Sequence, residues 1–195
     1  MIDAAPKPKV RPNLQRPGWL DEIVRTIIFV VVVTVLFDMA IPRSLVDGSS
    51  MMPTFVDGER LIVSRVHYLL MRPQRGDIVV FNSLEGDEIM LIKRVIGEPG
   101  DVVEWRDHQL YLNEHLVEED YINEPCTSCP NETWVLEADE YFVMGDNRNH
   151  SRDSRVFGPV PIDHIVGRVV FRYWPMYPKF RVGIIGGLAY EGVDS

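Results

Sequence analysis

Three polar groups stand out against an otherwise apolar-patterned chain: Ser50 in Ser50-Met51-Met52-Pro53-Thr54, Lys93 in Met90-Leu91-Ile92-Lys93-Arg94-Val95-Ile96, and Gly145-Asp146-Asn147-Arg148 with Ser151 close behind. A serine hydroxyl and a lysine amine can carry out nucleophilic chemistry together. The neutral amine takes the hydroxyl proton, the oxygen attacks a carbonyl, and neither histidine nor metal is needed. Lysine serves as a base only where its neutral form is favoured, and burial favours it because desolvation penalises the ammonium ion. Taken singly, Lys93 is equally well explained as a strand lysine facing water, and Ser50 as a loop serine.

These groups must be held by the elements around them. After Pro42 the apolar residues fall in short bursts, Arg60–Val66, Asp77–Phe81, Ile89–Ile96, Val102–Trp105, Gln109–Leu112, Glu140–Met144 and Ile165–Tyr173, with Gly and Pro at many of the breaks. That pattern predicts strands. The expected fold is mostly β, an antiparallel domain over residues 42–195 that contains a small insertion at about 102–139.

Ahead of this domain, Ile23–Ile41 reads IVRTIIFVVVVTVLFDMAI, nineteen residues. As a helix it would be about 28 Å long, close to the ~30 Å hydrocarbon core of a bilayer. Arg25 and Asp38 would then sit near the two interfaces, Arg25 snorkelling toward headgroups. A buried helix and a cleavable signal peptide are the alternatives, but Phe37-Asp38-Met39-Ala40-Ile41-Pro42 offers no small-x-small cleavage pattern. Lys7, Lys9, Arg11 and Arg16 precede the span. A basic excess of this kind stays cytoplasmic, so residues 1–22 are expected as a proline-rich cytoplasmic tail, 23–41 as a single-pass anchor, and 42–195 as extracytoplasmic.

With 195 residues and a net charge of −9, the chain lacks the basic surface that phosphate recognition needs, and nucleic acid is not expected as a partner. At 46% hydrophobic it is too apolar to be disordered. Cys126 and Cys129 form a CxxC, read first as a local disulfide in a surface loop of the insertion. Zinc held with His108 and His115 is the alternative.

The set as a whole resembles the type I signal peptidases, membrane-anchored serine-lysine endopeptidases that remove signal peptides from exported proteins. Val46-Asp47-Gly48-Ser49-Ser50-Met51-Met52-Pro53-Thr54 is similar to the family's nucleophile box, Arg75-Gly76-Asp77-Ile78-Val79-Val80-Phe81 to the strand after it, Ile92-Lys93-Arg94-Val95-Ile96-Gly97-Glu98-Pro99-Gly100-Asp101 to the general-base box, and the run Gly145–Arg155 to the last box. The resemblance implies Ser50 as nucleophile, Lys93 as base and Ser151 as the residue that hydrogen-bonds and orients the lysine. It implies no cofactor and no metal. Arg94, Asp146, Arg148, Asp153 and Arg155 are expected to support the site through charge pairing. His150, next to Ser151, is read as a loop residue. The oxyanion would be held by the Ser50 N–H. Many relatives add a serine hydroxyl two positions earlier, where this chain has Gly48.

By motif position, Val46, Met51, Leu91 and Ile92 are the candidate walls of shallow pockets for small substrate side chains, with ordinary core as the alternative. The implied partners are signal-peptide-bearing preproteins and the lipid bilayer. From Ile41 to Ser50 there are nine steps, reaching at most about 32 Å, so the nucleophile would work near the membrane surface. The aromatic and basic stretch Phe171–Phe180 would suit the interface there. Two rival readings are another serine-lysine peptidase of related fold and a membrane-tethered binding module without catalysis.

Overall fold

In the computed structural model of the chain, residues 18–40, 43–86, 89–127 and 129–174 are described. The tail up to residue 17 and the stretch after Trp174 lie outside them. The chain divides into two units, Met1–Met39 and Ala40–Ser195.

Helix α1 spans Trp19–Ala40, starting four residues before the expected Ile23. The reason is local: the Gly18 carbonyl accepts the N–H groups of Asp21 and Glu22, and those two acids occupy the first turn, where carboxylates offset the positive end of the helix dipole. Apolar side chains from Ile23 to Leu36 are exposed all round the helix. Over the described residues alone, no helix is long and apolar enough to cross a membrane; the side chains of Phe37 and Ala40 lie outside that description.

The second unit is built of antiparallel strands, as its turn-punctuated pattern predicts. In chain order they are β1 (Arg43–Leu45), β2 (Arg60–Ser64), β3 (Ile78–Asn82), β4 (Met90–Gly97), β5 (Val102–Arg106), β6 (Gln109–Leu112), β7 (His115–Leu116), β8 (Glu132–Val135), β9 (Glu140–Met144), β10 (Val160–Pro161) and β11 (Ile165–Trp174). Among the described residues, two single-turn α-helices interrupt them, α2 (His67–Leu70) and α3 (Ser154–Phe157), along with 3-10 turns at Arg148–His150 and Ile162–His164. Strand β2 stops at Ser64, short of the expected Val66, because the chain turns there into α2; the His67 N–H donates to Ser64 Oγ.

Seven strands form one sheet in the order β1-β2-β11-β3-β4-β9-β10, and four form a second, β7-β6-β5-β8. Strand β4 is central to the first sheet and buried on both faces from Lys93 onward, which is why its sequence is nearly continuously apolar. On one face Val79, Phe81, Val95, Tyr141 and Val143 pack together. On the other, Leu61, Val63, Ile78, Val80 and Val169 pack against Val46, Met51 and Phe55.

The second sheet occupies the stretch expected as a small insertion, but the CxxC in it is not the surface loop expected. Cys126 and Cys129 are joined by a disulfide and buried among Ile96, Val103, Trp105, Leu110, Leu112 and Phe142. The sulfurs are apolar enough to complete the core that small sheet shares with the ends of β4 and β9. Both thiols are spent in that bond, which removes the zinc alternative.

Candidate active site

The Ser50 turn is held by the residues beside it. Met51 is fully buried and Phe55 nearly so, and the Phe55 N–H donates to the Met51 carbonyl at 2.9 Å. Two buried apolar anchors around one tight turn fix the backbone that carries the hydroxyl. Burying each contributes about 1.5–3 kcal/mol. Across the site the Asn147 N–H donates to the Ser50 carbonyl at 3.0 Å, and Asn147 Nδ2 donates to the Ser49 carbonyl at 3.1 Å. Ser49 itself is exposed.

Lys93 reaches this turn from β4, where it pairs with Val79 of β3. Only 3% of its surface is exposed. Its Nζ lies 2.9 Å from Ser50 Oγ and donates to the Ile92 carbonyl at 2.9 Å. Burial pushes the amine down from 10.5 to about 8; Asp153 and Asp146 pull it back up, and Arg155 pushes it further down. The solvated-strand alternative for Lys93 is therefore excluded, since the side chain points inward.

Ser151 does not do what the resemblance implied. Its Oγ is buried and has no hydrogen-bond partner among the described residues, and the amine lies against Ser50 Oγ and the Ile92 carbonyl instead. Ser151 still abuts the turn. A Cβ built on Gly145 would lie 2.2 Å from Ser151 Oγ and 2.5 Å from the Ser50 carbonyl oxygen, so only a residue without a side chain fits between them.

The five charged residues expected as support are all within the site region: Arg94, Asp146, Arg148 and Asp153 are buried, and Arg155 pairs with Asp153. Arg94 grips Asp146 with two bonds, Nε to Oδ1 at 2.8 Å and Nη2 to Oδ2 at 2.6 Å. Thr54 of the nucleophile box also donates to Asp146. Asp153 accepts from the Gly145 N–H at 3.0 Å and from Arg155 through two contacts of 2.7 Å. Arg155 in turn lies 2.8 Å from the Cys129 sulfur, tying the disulfide to the last box. Arg148 donates to the Gly145 carbonyl at 3.1 Å and pairs with Glu119. Burial opposes the Arg148 charge, but Glu119 and Tyr121 outweigh it and hold the guanidinium firmly protonated. Pairs this deeply buried fix geometry more than they add stability, and losing one partner is costly.

Several participants were not legible in the sequence. Tyr121 lies under Arg94, with the guanidinium carbon 4.1 Å from its ring centroid, and receives a bond from Arg148 at 3.2 Å. Glu119 and Tyr121 sit in an acidic stretch of the second sheet's connections, where nothing in residue type or spacing points to the site. Of the candidate pocket walls, Val46 and Met51 are core. Leu91 and Ile92 are half-buried on the part of β4 that has β3 on one edge and, among the described strands, no partner on the other, since β9 begins pairing only at Arg94. His150 is an exposed turn residue beside Asn147. Gly48 has φ +92°, a conformation that L side chains rarely adopt, and its N–H donates to Asp57 at 2.9 Å. A serine there would be strained.

This geometry can be set beside known proteins. The family model described as signal peptidase, peptidase S26, matches residues 19–174. The chain is 38% identical over 177 residues to thylakoidal processing peptidase 1 of Arabidopsis thaliana, a match covering 81% of this chain and 52% of that protein. It thus spans about half the length of that relative. It is 39% identical over 151 residues to signal peptidase I of Leptolyngbya laminosa, covering 72% of this chain and 71% of that protein. With signal peptidase IB of Staphylococcus aureus it shares 35% over 179 residues, covering 83% and 92%. A family model matched over most of the chain, and relatives covered to 71% and 92% of their length, mean that the chain belongs to the signal peptidase family, peptidase S26, and with it to the serine endopeptidases.

Proposed function

We propose that Ser50 and Lys93 form a catalytic dyad that cuts signal peptides from exported preproteins at the outer face of a membrane in which α1 is the single-pass anchor. The observation that carries this reading is the 2.9 Å separation of Lys93 Nζ from Ser50 Oγ, with the amine buried and its pKa pushed down to about 8. A neutral amine has two N–H groups and one lone pair. Donation to the Ile92 carbonyl leaves the lone pair for the Ser50 proton.

In this mechanism Ser50 Oγ attacks the scissile carbonyl as its proton passes to Lys93, and the C–N bond then breaks as the ammonium returns that proton to the departing amine. A water molecule, activated by the same amine, hydrolyses the ester on Ser50. The oxyanion is held by the Ser50 N–H, for which no acceptor is found among the described residues. The Gly48 N–H is already engaged by Asp57. The acyl part of the substrate adds as a strand to the open Met90–Ile92 edge, with Leu91 and Ile92 beside its small side chains.

The anchor reading rests on the nineteen apolar-rich residues from Ile23 to Ile41 and on the 22-residue length of α1, about 33 Å of helix. The basic tail supports a cytoplasmic N-terminus and an extracytoplasmic peptidase domain. Phe171 and Trp174 are exposed, as a lipid-facing strand end requires. The rest of the Phe171–Phe180 stretch lies outside the described residues.

Incubating the purified protein with a precursor tests the dyad. Ser50→Ala and Lys93→Ala should each leave the precursor unprocessed, and full processing by either variant would sink the mechanism.

A further inference from the structure

A cavity of about 190 Å³ opens beside the nucleophile turn, with Met52, Asn147 and His150 on its lining together with Asn123 and Glu124. It is too small for a typical small-molecule ligand, which needs about 300–1,000 Å³, but roomy enough for one long side chain. It adjoins the reacting centre closely. Met52 is two residues beyond Ser50, and Asn147 bonds the carbonyls of both Ser49 and Ser50. Lys93 of β4 meets Ser50 at its Oγ, while Met52 and Asn147, which flank the same turn, line the cavity, so a peptide that pairs with the open edge of β4 and crosses Ser50 would have this cavity within reach of its next residues.

The lining is polar, and among the described residues Glu124 is its one charge without an ion pair. Asp146 and Arg148 also line the cavity, but Asp146 is neutralised by Arg94 and Arg148 by Glu119. Glu124 is exposed and has no ion pair among the described residues. Glu118 and Asp120, exposed on the same segment, add to the negative potential. The rim is also held in position. Arg148 grips Tyr121 on one side of Asn123–Glu124, and on the other Asn149 Nδ2 donates to the Pro125 carbonyl at 3.2 Å, next to the buried Cys126.

We propose that this cavity receives one of the first two side chains of the released mature chain, and that Glu124 makes it favour a basic or neutral polar residue there over an acidic one. The inference rests on Ser50 as nucleophile. Selectivity in a signal peptidase of this form therefore has a component on the far side of the cut, set by a loop of the second sheet.

The test uses the full chain in detergent and synthetic precursors that differ only at the first or second residue after the cut, which is Lys, Gln, Ala or Glu. For the wild type, kcat/KM for Lys should exceed that for Glu by about fivefold, the reach of one exposed ion pair, and the ratio should shrink as salt is raised. Glu124→Gln should shrink the ratio toward one, by lowering kcat/KM for the Lys precursor and raising it for the Glu precursor. An equal Lys/Glu ratio in wild type and Glu124→Gln, or no preference in the wild type, overturns the proposal. Ser50→Ala on the Ala precursor separates the two readings: retained cleavage there overturns the nucleophile, whereas lost cleavage with an unchanged ratio overturns this subsite alone.

Discussion

Lys93 is a buried amine whose desolvation, partly offset by Asp153 and Asp146, brings its pKa to about 8. In the proposed mechanism the acid limb of kcat/KM should therefore fall near pH 8, activity dropping about tenfold per pH unit below it. A limb near 6.5, where histidine titrates, would point to a different base. The same shift has a stability consequence. Because the folded-state pKa lies below the unfolded 10.5, the ammonium is buried at full cost below pH 8, and that cost fades as pH rises from 8 to 10.5. Lys93→Met should thus be more stable than wild type by up to about 3 kcal/mol below pH 8, with the gain shrinking toward pH 10.5 in urea titrations. A variant less stable than wild type across that range would show that the amine's contacts outweigh its desolvation. Both residues of the proposed dyad were legible in the sequence because each sits in a motif that resembles a known box in order and type. The partner of the amine was not, since which oxygen a lysine reaches depends on side-chain rotamers and on where the strand turns, and Ile92 offers only its main chain.

At the scale of elements, the site is a meeting of one turn, one strand and one loop. Met51 and Phe55 seat the turn in the large sheet, β4 brings Lys93 to it, and the loop after β9 reaches the turn through Asn147 and is braced internally by the Gly145 N–H on Asp153. Gly145 is the point of closest approach. Gly145→Ala would drive a methyl to within 2.5 Å of the Ser50 carbonyl oxygen, and backbone cannot yield as a flexible side chain can. The nucleophile would be displaced, and a kcat fall of about a hundredfold is expected with the fold intact by circular dichroism. Near-normal kcat would mean that the turn relaxes freely. The main strands were legible from alternation and turn residues, and their bounds shifted by one or two positions where a turn intervened. The two-residue strands β7 and β10 were not, because so short a stretch carries no periodicity. Nor was β8, whose Glu132–Val135 is mostly exposed and has no buried face to alternate.

For the molecule as a whole, the strand-built unit from Ala40 onward has its own cores and its own paired charges. Deleting residues 1–40 should therefore leave kcat/KM on a short soluble peptide unchanged, while processing of a bilayer-embedded precursor falls by roughly a hundredfold, as expected when a tether no longer supplies local concentration. Equal losses on both substrates would show that α1 serves the fold of the domain instead.

The sequence by itself determined the family and the antiparallel β character, and singled out the serine and lysine of the proposed dyad, because motif order and hydrophobic alternation are local properties that a linear chain displays directly. Only the tertiary structure decided that the CxxC is a buried disulfide under Arg155, that Glu119 and Tyr121 reach across from the second sheet to hold Arg148, and that Ile92 rather than Ser151 holds the amine. Those are contacts between residues far apart in the chain or set by rotamer, and their energies depend on which low-dielectric space the fold encloses.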